Sequence, residues 1–160
     1  MNPKSLRQVE ILLVEDNPAD VLLTRSAFED FKITNILHVV EDGVGALEFL
    51  RGQGSFAGSP RPDLIMLDLN LPRKNGREVL TEIKTDPALR NIPVVVLTTS
   101  KSEQDILQAY DLHANCYIVK PVGFANFVEA IKVIKNYWFS LVTLPSEVED
   151  GQDANSSIAD

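Results

Sequence analysis

The sequence has a single cysteine, Cys116, and only two histidines, His38 and His113. One cysteine excludes an intrachain disulfide, and two imidazoles with one thiol leave almost no ligands for a zinc centre. Long hydrophobic runs are also missing. No apolar stretch approaches the roughly 18 residues of a transmembrane helix, and the opening MNPKSLRQVE has no apolar core of the kind a secretory signal needs. Basic residues are outnumbered, 15 Lys and Arg against 23 Asp and Glu, for a formal net charge of −8. That balance argues against non-specific nucleic-acid binding, which needs a basic footprint, and against docking on anionic membranes. The first apolar segment runs into VEDNPAD, with none of the glycines of a dinucleotide-binding turn. The expectation is a reduced, cytoplasmic protein.

The 160 residues, 44% apolar and 24% charged, suit one domain with a real core. Five short segments read as buried strands: Val9–Val14, Ile36–Val40, Leu64–Leu67, Val94–Leu97 and Cys116–Val119. They are apolar on successive residues and rich in β-branched side chains, as parallel strands covered on both faces are. Amphipathic helical patterns separate them. The first opens at Asn17-Pro18, an N-cap followed by proline at the first helical position, and places Val21, Leu22 and Phe28 on its apolar side. Others cover about 43–51, 76–84, 102–112 and 123–140. Strands alternating with helices predict a doubly wound α/β fold, a five-stranded parallel sheet with five helices. RGQGSFAGSPRP, residues 51–62, reads as a surface loop. Residues 1–8 form a lead-in and 9–144 the domain with an extended C-terminal helix or arm. Residues 145–160, acidic and without a basic residue, read as a disordered, solvated tail.

Asp68 is the oddest residue in this pattern. It follows the apolar run LIML, where a lone carboxylate is expensive unless it is paired, hydrogen-bonded or bound to metal. Other strands also end in polar residues: Glu15-Asp16 after the first, Thr98-Thr99-Ser100 at the fourth, Lys120-Pro121 after the fifth. In open α/β sheets ligands bind beyond the carboxyl ends of the strands, where the strand order reverses. In the flavodoxin-like order 2-1-3-4-5 the first and third strands are neighbours there, which sets Asp16 beside Asp68. Three convergent carboxylates repel unless some protonate or a cation sits among them. Carboxylates and a backbone carbonyl suit magnesium, and a carboxylate beside such an ion can serve as a phosphoryl acceptor. Each residue alone has a plainer reading. Acids before a helix complement its dipole, a strand-end aspartate caps a loop, and a strand-end threonine or lysine is a structural or solvated position. Those plainer readings leave the ordered set of two acids, acid, hydroxyl and lysine unexplained.

With these residues placed, the sequence resembles the receiver domain of two-component response regulators. The resemblance covers residues 8–140 and rests on LLVEDNP, LIMLDLNLPRKNG, VVVLTTS and YIVKP. It implies that Asp68 is the phosphoryl acceptor, charged from the phosphohistidine of a sensor histidine kinase. It implies that Asp16 ligates Mg2+ directly, Glu15 through a bound water, and Asn70 through its backbone carbonyl. Thr98 corresponds to the hydroxyl that moves onto the phosphoryl group, Lys120 to the lysine that pairs with phosphate, and Tyr117 to the aromatic switch position. In the family the Lys120–Pro121 bond is cis. SPRPDLIMLDLNLP, GREVLTEIK, PVVVLTTS, LHANCY and VTLP resemble more narrowly the single-domain regulators partnered with bacterial and cyanobacterial phytochromes. Where many receivers carry Gly-Ala before the fifth strand this chain has His113-Ala114, a feature of the subgroup and not a metal ligand.

A haloacid-dehalogenase-like phosphatase also uses a nucleophilic aspartate with magnesium. Its nucleophile follows the first strand in a D-x-D pattern, whereas here the candidate follows the third and position 70 is Asn. A receiver-like scaffold that works without phosphorylation is the other alternative, set against the presence of all the matched site residues. No further domain is expected after the last helix, so output is expected through protein–protein contact. Ala130, Val133 and Tyr137 form a second apolar line beside the core stripe of that helix, and Trp138, Phe139, Leu141, Val142 and Leu144 extend it. Aromatics such as these anchor interfaces, and Val133, Tyr137, Trp138 and Phe139 are the expected contacts of a two-fold homodimer. The alternative is that YWFSLVTLP folds back on its own domain. Met66 and Cys116 read as core residues, and His38 as a structural residue with no evident partner.

Overall fold

The computed structural model describes residues 8–29, 35–98 and 116–119, with five further helical positions at 126, 129, 130, 132 and 133. Within them β1 (Val9–Val14), β2 (Asn35–Val40), β3 (Leu64–Asp68), β4 (Val94–Thr98) and β5 (Cys116–Val119) form one parallel sheet in the order β2-β1-β3-β4-β5. α1 (Pro18–Glu29), α2 (Gly43–Arg51) and α3 (Gly76–Thr85) lie in the connections from β1 to β4. The helix expected over 102–112, the region around His113 and the tail 145–160 lie outside the described residues. So does the expected helix at 123–140, except for its five helical positions. Among the described residues no helix is long and apolar enough to cross a membrane.

The unbroken apolar character of the strands has a direct cause. Side chains alternate between faces along a strand, and both faces are covered. Leu12, Val14, Ile65, Leu67, Val94 and Val96 pack with Ala46, Leu47, Phe49, Val79, Leu80 and Ile83 of α2 and α3. Ile11, Leu13, Leu64, Met66, Val95 and Leu97 face the other way, with Ala27 and Phe28 of α1. The two central strands, β1 and β3, therefore spend almost no residue on solvent.

Local sequence sets the helix limits. The Asn17 side chain accepts the Ala19 N–H at 2.9 Å and starts α1. Asp42 caps α2 by accepting the Gly45 N–H at 2.7 Å, and Gly52, at φ 62°, ends it in the left-handed conformation. Asn75 caps α3 through the Glu78 N–H at 3.0 Å.

Three sequence expectations need correction. Leu22 is not on the buried side of α1: it is 65% exposed, while Thr24, Ala27 and Phe28 turn inward. Thr24 takes a core position because its hydroxyl donates to the Asp20 carbonyl at 2.8 Å, which satisfies it locally. The segment 51–62 is more than a loop, since Gly54–Phe56 forms a 3-10 turn that packs Phe56 edge-on against Phe49, centroids 5.5 Å apart. His38 does have a partner: its Nε2 lies 2.6 Å from Glu10 Oε2 on the adjacent strand. The Glu10 N–H in turn donates to the buried Asp63 carboxylate at 2.9 Å, tying β1 to the entry of β3.

Candidate functional site

The strand order turns at β1. The chain steps from β1 outward to β2, then returns to the other side of β1 with β3. The carboxyl ends of β1 and β3 are thus adjacent, in the register Val14↔Leu67. Each is followed at once by an acid, Glu15 on one and Asp68 on the other. Glu15 extends the ladder, its N–H donating to the Val40 carbonyl at 2.9 Å. Carboxylate oxygens of Glu15, Asp16 and Asp68 lie within 4.8 Å of one another. Glu15 and Asp68 are buried, 2% and 6% exposed, while Asp16 is open to solvent.

Backbone donors hold the buried pair in place. The Asn70 N–H donates to Asp68 Oδ1 at 2.9 Å, and the Asn17 N–H donates to Glu15 Oε2 at 3.2 Å. Such bonds orient the carboxylates but leave three negative groups in a small, partly dehydrated space. Oxygen-only donors at this spacing fit a hard divalent cation of the magnesium type, and the donor set contains no soft ligand.

Asp68 is also fixed from behind. Gly76, the first residue of α3, sits so close that a Cβ there would lie 2.3 Å from the Asp68 carbonyl oxygen and 2.5 Å from Leu69 Cα. Its N–H donates to the Leu69 carbonyl at 3.0 Å. The helix start therefore packs directly on the backbone of the candidate acceptor. This glycine closes the motif LIMLDLNLPRKNG. Its signal in the sequence is an Asn-Gly pair seven and eight residues beyond a strand-end acid, at the start of a helical pattern.

Thr98 ends β4, one residue past Leu97, the partner of Asp68 across the ladder, and pairs with Val119 of β5. Its backbone therefore belongs to the same carboxyl edge as the acids. Tyr117 pairs with Val96 within β5. The side chains of Thr98 and Tyr117, all of Lys120 and Pro121 with the expected cis bond, and Tyr137, Trp138 and Phe139 lie outside the described residues. Asn70 is exposed in the loop after β3. Val133 is 66% exposed on a helical position.

Comparison with known proteins matches this architecture. The family model described as the response regulator receiver domain matches residues 11–132. Response regulator Rcp1 of Synechocystis is 48% identical over 136 residues, which span 85% of this chain and 92% of that protein. The crystal structure of the phosphorylated cyanobacterial phytochrome response regulator RcpA superposes with a TM-score of 0.85 at 49% identity, covering 87% of this chain and 99% of that one. The Mn(2+)-bound form of Rcp1 gives a TM-score of 0.83 at 47% identity, covering 86% and 99%. With a family model spanning both acid-bearing strands and relatives near half identity over almost their whole length, the chain belongs to the response regulator receiver family, the signalling domains of two-component systems.

Proposed function

We propose that this receiver accepts a phosphoryl group on Asp68 from the phosphohistidine of a sensor histidine kinase, with one Mg2+ held by Glu15, Asp16, Asp68 and the Asn70 carbonyl. The observation that carries the proposal is the convergence of the three carboxylates within 4.8 Å where the strand order reverses. The Mn(2+)-bound state described for Rcp1 and the phosphorylated state described for RcpA support it. In the transfer an Asp68 carboxylate oxygen forms a bond to phosphorus as the P–N bond breaks, and the electron pair returns to the imidazole. When bound, the metal offsets negative charge on the carboxylates and on the phosphoryl oxygens. Asn70 holds the Asp68 carboxyl through its N–H, and Asn17 holds Glu15 in the same way. Lys120 and the Thr98 hydroxyl take up the phosphoryl oxygens, and Tyr117 follows Thr98 inward. In the return reaction water attacks the acyl phosphate. The domain turns over no free substrate, so this self-modification is signalling chemistry and not enzymatic turnover.

A complete switch from 1:99 to 99:1 needs about 5.5 kcal/mol. Hydrogen bonds to charged groups contribute about 1.5–3 kcal/mol each, so two or three phosphoryl contacts suffice. The kinase is a phytochrome on this reading, because RcpA, one of the relatives, is described as a cyanobacterial phytochrome response regulator. Output runs through protein contact in the cytoplasm, without nucleic acid or membrane, in keeping with the net charge of −8. A homodimer through Val133, Tyr137, Trp138 and Phe139 completes the proposal, supported by the exposure of Val133.

Incubation with a small phosphodonor and Mg2+ tests the central claim. Wild type should gain one phosphoryl group, mapped to Asp68, and Asp16→Asn should lose both Mg2+ affinity and phosphorylation. Full phosphorylation of Asp16→Asn at ordinary Mg2+ concentration would sink the assignment.

A further inference from the structure

Residues 69–75 join β3 to α3 and carry Asn70, and their conformation is unusual at one point. Arg73 has φ 64°, the only positive φ outside glycine among the described residues. That region is disfavoured for a residue bearing a Cβ, whereas glycine enters it freely. The turn closes on a hydrogen bond from the Lys74 N–H to the Pro72 carbonyl at 2.8 Å, and the arginine side chain adds a second hold. Its guanidinium makes two hydrogen bonds to one carboxylate, Nε to Asp42 Oδ2 at 3.0 Å and Nη2 to Asp42 Oδ1 at 2.9 Å. Asp42 is itself fixed as the N-cap of α2, and the guanidinium holds its carboxyl below the usual carboxylate range.

The neighbouring contacts point the same way. The Lys74 carbonyl approaches α2 so closely that a Cβ on Gly43 would lie 2.0 Å from its oxygen. The Lys74 ammonium pairs with Glu82 of α3, which Arg51 of α2 also approaches, at 3.6 Å. The loop is therefore docked on the first turn of α2, and Arg73–Asp42 is the side-chain contact that holds its one strained residue there.

We infer that Arg73 and Asp42 are positioning residues for the metal site: their two-bond ion pair holds loop 69–75, and with it the Asn70 carbonyl, in the arrangement that binds the divalent cation. This rests on the reading of Glu15, Asp16, Asp68 and Asn70 as the metal site. Neither Arg73 nor Asp42 ligates the ion. They raise its affinity by keeping the loop from relaxing out of the left-handed turn.

The test uses the full chain and Mg2+ alone, followed by phosphorylation from acetyl phosphate across a range of Mg2+ concentrations. Asp42→Asn keeps a good N-cap for α2 and removes the charge. Arg73→Ala keeps the Cβ, and so the strain of the left-handed position, and removes the guanidinium. Each should raise the half-saturating Mg2+ concentration by about three- to fivefold, the upper range for an exposed but well-formed ion pair. The rate at saturating Mg2+ should stay at the wild-type value. The double variant should be no worse than either single one, because both remove the same contact. Arg73→Lys, with a point charge in place of the fork, should fall between. Wild-type half-saturation in both single variants, or effects that multiply in the double, would overturn the inference. So would a reduced saturating rate with unchanged half-saturation. Asp16→Asn separates the two levels. If it binds Mg2+ as wild type does, the metal-site reading itself fails. If it loses Mg2+ while Asp42→Asn and Arg73→Ala do not, only the positioning role fails.

Discussion

Replacing Gly76 by alanine adds one carbon atom where α3 meets the candidate acceptor. That carbon would stand 2.3 Å from the Asp68 carbonyl oxygen, 2.5 Å from Leu69 Cα and 3.0 Å from the Asp68 carbonyl carbon. All three neighbours are backbone, so no side chain can rotate away. Ordinary contact begins near 3.4 Å, and the helix start and the end of β3 must part by roughly 1 Å. Overpacking of this kind costs about 1–3 kcal/mol. Alanine recovers at most ~1 kcal/mol through helix propensity, less in a first turn. A net loss of about 1–2 kcal/mol is expected, read as a lower urea midpoint with an unchanged slope. Glu78→Ala, exposed on the same helix, is the control and should stay within about 0.5 kcal/mol of wild type. The displacement falls on Asp68 itself, and a misplacement of about 1 Å can cost a reaction on the order of 100-fold. The rate of phosphorylation from a small phosphodonor at saturating Mg2+ should therefore fall far more than stability does. A Gly76→Ala protein with the wild-type urea midpoint and the wild-type rate would refute the claim that this contact positions the acceptor.

Other outcomes follow from the core and the charges. Ile65, fully buried between β1, β4 and the α2–α3 layer, should cost about 2–5 kcal/mol as Ile65→Ala in urea unfolding. Because Arg73 depresses the Asp42 pKa in the folded state, the stability this carboxylate adds is present above its unfolded value of ~3.9. It is lost as pH falls through the lower folded value. The stability gap between wild type and Asp42→Asn should thus shrink on acidification, and a gap that widens in urea melts from pH 7 to pH 3 would contradict this. Lys120→Ala should slow phosphorylation, whereas Thr98→Ala should be phosphorylated yet fail to shift the amide spectrum of β4 and β5. Truncation after Lys135 should convert a sedimenting dimer to monomer or to a poorly soluble chain, and a full-length monomer at micromolar concentration, phosphorylated or not, would remove the interface.

The strands were legible because two-sided burial leaves no freedom of composition. Val9–Val14 and Cys116–Val119 fall where the apolar runs place them, and β3 and β4 gain only their final polar residues, Asp68 and Thr98. The acid cluster was legible for a related reason, since the strand order makes neighbours of residues that a run of charges alone would leave unrelated. What escaped reading was three-dimensional contact without a sequence period. Leu22 and Phe28 look alike in an apolar pattern, yet only the second meets the sheet. The Glu10–His38 and Arg73–Asp42 pairs join residues 28 and 31 positions apart. Gly76 and Gly43 are small because other backbone passes through the space a side chain would fill. No single-chain pattern announces such crossings.

The segment between α2 and β3 lies at the amino end of the sheet, opposite the carboxylates. Its Gly58 has open space around the missing Cβ, while Phe56 and the bond from the Ser59 hydroxyl to the Phe49 carbonyl, at 2.6 Å, anchor it to the helix layer. The two rims of the sheet therefore differ, one carrying the three carboxylates and the opposite one this exposed segment. A fluorophore placed at the exposed Ala57, which leaves the left-handed Gly58 (φ 83°) untouched, would ride on a fixed base and stand a full strand length from Asp68. It would give an optical handle on the protein that does not trespass on the site whose state it is meant to report.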